Sequence, residues 1–171
     1  MITIKVEQLS REAFAPFGRY VDLLKAGDTD ESRSAFFPDL MDLTVTQPVS
    51  VSVGRACGDP HRVPFIESHP GTAEARIPLD GDIVIYVAPM QPLDSLDLAS
   101  IRAFAVPRGT LIELAPGVLH GRQFPVGPAP VRVMILCCAG TVHTDTAIRR
   151  FEEGQEPAIW LELQDIGGDC L

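Results

Sequence analysis

No apolar run in this chain approaches the ~18 residues that a membrane-spanning helix needs. The start, MITIKVEQLSREAF, lacks the basic-then-apolar order of a secretion signal. Positive charge is scarce: 14 Lys and Arg stand against 23 Asp and Glu, a formal net charge of −9. A phosphate-backbone binder needs a basic face, so nucleic acid is excluded as an expected partner. A small anionic substrate is not, because a few local arginines reverse the field inside one pocket. Four cysteines, Cys57, Cys137, Cys138 and Cys170, lack zinc-type spacing. Adjacent Cys137 and Cys138 point to opposite faces of a strand and make poor partners for one another. Without an export signal, reduced thiols are the default, with Cys57, Cys137 and Cys138 expected as small buried apolar side chains. There are no Rossmann or P-loop glycines, no serine elbow and no zincin helix. The expectation is a soluble cytoplasmic protein with neither nucleic acid nor membrane as partner.

What is present is turn chemistry and short apolar alternation. Fifteen prolines and 14 glycines in 171 residues suit many short strands better than a helix bundle. Ile2, Ile4 and Val6 alternate as a strand, and Ser10 is placed to cap a short helix running through Glu12, Ala13, Phe14 and Phe17 to Gly18. The polar stretch 26–34 reads as an exposed loop. From Asp42 onward strands and turns dominate, with Leu43–Val45, Val49–Val53 and Val63–Ile66 first. Asp80-Gly81 reads as a hairpin turn between Ala75–Leu79 and Ile83–Val87. Asp97-Leu98-Ala99 suits one helical turn. Ile101–Ala105, Leu111–Leu114, Val131–Ile135 and a closing edge strand in 157–163 follow. The fold class expected is mainly β: one domain, 1–171, forming a sandwich or barrel with one or two short helices.

Chemistry concentrates at Glu67, His69 and Glu74. Residues i and i+2 share a strand face, so Glu67 and His69 project together. Pro70-Gly71 bends the chain, and Glu74 opens the next strand toward the same cavity. Pro116-Gly117-Val118-Leu119-His120 brings a second imidazole from a distant turn. Two imidazoles with one or two carboxylates can hold a divalent metal or work without one as general acid and base. His61 and His143 sit in no such cluster, and Tyr86 and Phe104 read as core. Trp160 reads either as a contact between subunits or as a barrel cap.

The spacing resembles the two cupin motifs, Gly…His-x-His-x(3,4)-Glu-x(6)-Gly and Gly…Pro-x-Gly-x-x-His. Glu67 stands in the first His position, and His69, Glu74 and Gly81 fit by count. Gly109 and Pro116 to His120 approximate the second motif, one residue short between Pro and Gly. A wider resemblance runs from about Leu9 to Val133. LSREAFAPFGRYV, VSVGRACGDP, FIESHPGTAEARIPLDGDIVIYVAP, LDLASIRAFAV and GTLIELAPGVLHG together resemble the ureidoglycolate lyase family. That resemblance implies a cupin-like β-barrel (a double-stranded β-helix), commonly a homodimer, that splits ureidoglycolate into glyoxylate and urea in purine (allantoin) breakdown. The family usually has Gln where this chain has Glu74 and an aromatic residue at Arg76. It also has paired histidines near His120, and an acidic-basic pair where Cys138-Ala139 stands here.

Ureidoglycolate carries hydroxyl, carboxylate and a urea nitrogen on one carbon. Its cleavage needs a base, an acid and a cationic anchor, and requires no cofactor. His120 and Glu67 are expected as base and acid, and His69 as an orienting or polarising group. Arg55 is the expected carboxylate anchor, from its place in the family block, with Glu74 and Arg76 also expected at the substrate and Arg102 as a further candidate. A divalent metal, if held, would use His69, Glu74 and His120. Two other readings stay open: a metal-dependent cupin enzyme acting on another small carboxylic acid, and a non-catalytic small-ligand-binding cupin.

Overall fold

The computed structural model describes residues 1–25, 37–43, 47–58, 62–151 and 158–163. The expected loop 26–34, Val45, His61, Pro157 and Cys170 lie outside these residues.

Alternating apolar and polar side chains suit a strand with one buried face, and the chain uses this pattern to build two sheets. The first joins β1 (Ile2–Gln8), β4 (Phe65–Ser68), β6 (Ile83–Ala88), β7 (Arg102–Val106), β9 (Leu119–His120), β12 (Ala147–Arg150) and β13 (Ile159–Glu162). Its order is β12-β4-β9-β6-β7-β1-β13, with β10 (Phe124–Pro125) added against β6. The second sheet runs β2 (Gly18–Asp22), β8 (Thr110–Leu114), β5 (Glu74–Pro78), β11 (Val131–Cys138), β3 (Val49–Ala56). The two sheets enclose an apolar core that includes Phe14, Phe17, Ile85, Phe104, Ile112 and Val133. A second apolar layer, with Val84, Tyr86, Ala103 and Leu161, covers the outer side of the first sheet. Burial of each such side chain stabilises the fold by roughly 1.5–3 kcal/mol before entropy is subtracted. This is the mainly β, barrel-like architecture that the cupin pattern implies.

The expected helix after Ser10 is one turn only. α1 spans Arg11–Phe14, and the Ser10 hydroxyl accepts a hydrogen bond from the Ala13 N–H. Pro16 has no N–H to continue the ladder, so the chain turns at residues 15–17 and Gly18 opens β2. A side chain at Gly18 would meet the Glu113 carbonyl oxygen at 1.8 Å, so β2 can lie against β8 only with glycine there. α2 (Thr141–Thr144) is equally short. Asp97 caps the expected turn, a 3₁₀ segment at Leu98–Ser100.

Asp80-Gly81 does not close a hairpin. β5 and β6 belong to different sheets, and the turn carries the chain across the barrel edge. Asp80 fixes this corner by accepting hydrogen bonds from the Arg132 N–H at 2.7 Å and its Nε at 2.6 Å. The closing strand is β13, which pairs in parallel with β1. Trp160 lies on its exposed side, away from buried Ile159 and Leu161. Cys137 and Cys138 are buried as expected, but Cys57 is exposed because it follows the last residue of β3.

Candidate active site

One end of the enclosed space is polar, and register explains which residues reach it. Glu67 on β4 pairs with His120 on β9, which pairs with Val87 of the core; residues opposite one another in a ladder share a face. Glu74 and Arg76 on β5 sit opposite Leu114 and Ile112 of β8 and opposite Cys137 and Ile135 of β11. His69 follows β4 directly. The structure therefore brings together Glu67, His69, Glu74, Arg76 and His120.

His69 Nε2 lies 3.3 Å from Glu74 Oε2, and Arg76 Nε donates to Glu74 Oε1 at 2.5 Å. His120 Nε2 is 3.9 Å from Glu74 Oε1 and 4.0 Å from Glu67 Oε1. The two imidazole centroids are 5.0 Å apart. Each ring is fixed from behind. His120 Nδ1 is 2.9 Å from the Val118 carbonyl. His69 Nδ1 is 3.1 Å from the Asp145 carbonyl and from Thr146 Oγ1, whose hydroxyl donates to the Thr141 carbonyl. A carbonyl only accepts, so in both rings Nδ1 carries a proton and Nε2 is the atom presented to the cavity. Asp145 also holds the bend, accepting from the Gly71 N–H and the Thr72 hydroxyl.

Burial and charge separate the protonation states. Burial drives His120 down to about 4, only partly offset by Glu74, and it is neutral at pH 7. Its Nε2 is buried and has no hydrogen-bond partner among the described residues. Burial would also lower His69, but the hydrogen bond and charge of Glu74 outweigh it and the ring is raised. Glu67 is raised, chiefly by burial. Burial pushes Glu74 up, yet Arg76 and His69 hold it well below the usual carboxylate range. Glu74 is thus a fixed anion, and Glu67 is the carboxyl placed to exchange a proton.

Ligand atoms of Glu67, His69 and His120 lie within 4.8 Å of one another. Glu74, the carboxylate expected with the two imidazoles, lies 3.3 Å from His69 Nε2 and 3.9 Å from His120 Nε2 and is also bound by Arg76. Two imidazole nitrogens and a carboxylate oxygen, one of the nitrogens an orphaned buried atom, are a donor set that fits a divalent cation.

Arg55 does not reach the site. It is exposed on β3, whereas the preceding residue, Gly54, faces inward: a side chain at Gly54 would meet Gln123 Nε2 at 2.8 Å and the Ile135 side chain at 3.2 Å. Strand alternation then sends Arg55 outward. Arg102 is also elsewhere, paired with Glu7 and donating to the Ala13 carbonyl. Among the described residues, Arg76 is the buried arginine at this cluster. Its Nη1 donates to the Gly121 carbonyl at 2.8 Å and to Gln123 Oε1 at 3.1 Å, leaving Nη2 without a hydrogen-bond partner among the described residues. Gln123 and Gly54 carried no motif in the sequence. Tyr86 is core, as expected, donating its hydroxyl to the Phe65 carbonyl. A hollow of about 500 Å³ beside β2, lined in part by Tyr20, Lys25 and Pro107, holds none of this cluster.

Comparison with known proteins agrees with the motifs. A sequence model of the ureidoglycolate lyase family matches residues 1–156. A ureidoglycolate lyase of Burkholderia mallei is 31% identical over 128 residues, covering 70% of this chain and 74% of that protein. One of Rhodobacter capsulatus is 29% identical over 147 residues, covering 80% and 86%, and one of Pseudomonas fluorescens is 32% identical over 133 residues, covering 70% and 75%. Among solved structures, oxalate decarboxylase of Bacillus subtilis matches 59% of this chain and 24% of its own, with 16% identity and a TM-score of 0.42. With a family match over residues 1–156 and the paired imidazoles and carboxylates in one cluster, this chain belongs to the ureidoglycolate lyase family and is a lyase.

Proposed function

We propose that the cavity cleaves ureidoglycolate, or a close hemiaminal, to glyoxylate and urea, as a step of purine (allantoin) catabolism in the cytoplasm of the cell. The observation that carries this reading is the neutral, unpartnered Nε2 of His120, 4.0 Å from a carboxyl of raised proton affinity. The unpartnered Nη2 of Arg76 is the anchor for the substrate carboxylate.

His120 Nε2 takes the hydroxyl proton of the substrate. The oxygen's electron pair closes a carbonyl, the carbon–nitrogen bond breaks, and its electrons remain on the urea nitrogen. Glu67 protonates that nitrogen. The proton on His120 then returns to Glu67, so the site is restored with no net redox change. His69, raised by Glu74, orients the oxygen that becomes the carbonyl. Product assay tests this: purified protein with ureidoglycolate is expected to release glyoxylate and urea in equal amounts. No release with or without added divalent metal sinks the reading.

A second reading is favoured by the ligand geometry alone. Glu67, His69 and His120 would hold a divalent cation, which when bound supplies Lewis-acid polarisation of a substrate oxygen. In that case Arg76 still binds the carboxylate, Glu74 still holds His69, and proton transfer falls to groups outside the triad. A carboxylic acid other than ureidoglycolate would then suit the same cavity. Elemental analysis of the purified protein separates the two: about one metal per chain, lost in His69→Ala and His120→Ala, supports the metal centre. A third reading, of a binding module without turnover, would show saturable ligand binding and no product.

A further inference from the structure

The carboxylate anchor is itself held in place. Arg76 has five N–H donors in a rigid fork. Nε is bound to Glu74, and Nη1 to the Gly121 carbonyl and to Gln123 Oε1. Of these partners, Glu74 comes from the same strand and Gly121 from the chain following His120. Gln123, two residues further on, lies against Gly54 of β3. Its Oε1 faces Arg76, and its Nε2 occupies the volume where a side chain on Gly54 would stand, 2.8 Å from the ideal Cβ position. Gln123 is 8% exposed. A longer residue at position 54 would drive this amide off Arg76, so glycine on an inward-facing strand position has a specific use.

We propose that Gln123, seated in the space left by Gly54, is the positioning residue that turns the Nη2 edge of Arg76 to the substrate carboxylate. The proposal rests on Arg76 being the anchor, as read above. It does not depend on which bond the enzyme breaks. Gln123 works through Arg76 and takes no part in proton transfer, so its loss acts on binding. Gly54 acts one step further out, so its effect passes through Gln123.

Glycolate, the substrate without its ureido group, is the probe. Calorimetric titration of the full chain is expected to give a glycolate Kd about tenfold higher for Gln123→Met, which keeps the volume but removes the acceptor. Gly54→Ala is expected to weaken glycolate by a similar factor. The double variant Gly54→Ala/Gln123→Met is expected to be no weaker than Gln123→Met alone, since both changes break one contact. With ureidoglycolate, KM rises and kcat stays within about threefold, the split expected for lost uniform binding. A merely structural defect would lower the thermal midpoint and kcat together. The proposal is overturned if Gln123→Met binds glycolate like the wild type, if the two single effects add in the double variant, or if the wild type does not bind glycolate. If Gly54→Ala does not fold, Gln123→Met decides alone. A wild type that binds glycolate but releases no glyoxylate from ureidoglycolate removes the proposed reaction and leaves this inference standing. Turnover with an unaffected Gln123→Met does the reverse.

Discussion

At the scale of single residues, four carboxyl and imidazole groups sit within a few ångströms and are driven to different protonation states by what surrounds them. Separation of this kind assigns roles. His120→Asn is expected to lower kcat by ~10²–10⁴, the usual worth of a general base, with circular dichroism unchanged; a variant retaining a tenth or more of the activity would remove His120 as the base. The buried, neutral state of His120 also makes stability depend on pH. Its folded value of about 4 lies below the unfolded reference near 6.5. The unfolded chain therefore binds the proton first. The stability that His120 contributes is full above pH 6.5 and is lost as pH falls from 6.5 toward 4. His69 is raised, so its contribution is full below 6.5 and is lost as pH rises through its folded value. Thermal midpoints followed from pH 7 to 4 are expected to fall more steeply for the wild type than for His120→Asn. Parallel curves would rule out that linkage.

Elements decide which of these residues meet, and here the sequence was partly legible. The period of two on β4 put Glu67 and His69 on one side, and the Pro-Gly turn before β9 delivered His120. Those local signals survive folding because the flanking turns fix the register. Arg55 was expected at the site from its place in the family block, and register decides otherwise. β3 reads Val-Ser-Val-Ser-Val, and the usual rule would send the valines inward with Arg55 in step. The strand is inverted: Ser52 pairs with inward-facing Ile135, and Val51 and Val53 are each 66% exposed. The Gln123–Arg76 and Asp145–Gly71 contacts join residues 47 and 74 positions apart, and no spacing rule reaches so far. β12 adds a further element. Ile148 pairs with Glu67 and Arg150 with Phe65, so Arg150 stands on the cavity side, its guanidinium 5.9 Å from the Phe65 ring centroid. In a chain of net charge −9, a cation there draws anions toward the mouth. Arg150→Gln is expected to lower kcat/KM several-fold at low ionic strength, to lose that deficit above about 0.5 M salt, and to leave kcat in place. A deficit that persists at high salt would mean a direct contact instead.

For the whole molecule, the inverted strand has the largest consequence. An apolar outward face on a sheet is ordinarily covered. Val51 and Val53 of β3 lie beside Leu136 and Met134 of β11, which in turn lie beside Ala75 and Ile77 of β5. β3 is also the end strand of its sheet, eight residues long with one charge, and it has none of the lysines or prolines that keep free edges apart. In an antiparallel pairing about a two-fold axis at Ser52, Arg55 would lie opposite Val49 of the second copy, so no like charges meet. Pairing along this edge with a second copy of this chain is the expected outcome. We expect a homodimer by light scattering and its dissociation in Val51→Glu/Val53→Glu. Because the valines face away from Glu67 and His120, the monomeric variant is expected to keep its proton-transfer groups and still bind glycolate. A wild type that is monomeric at micromolar concentration, or a double variant that remains dimeric, would place the cover of this sheet elsewhere. Loss of glycolate binding on dissociation would instead show that β3 needs its partner to hold Gly54 against Gln123, tying assembly to the geometry of the anchor.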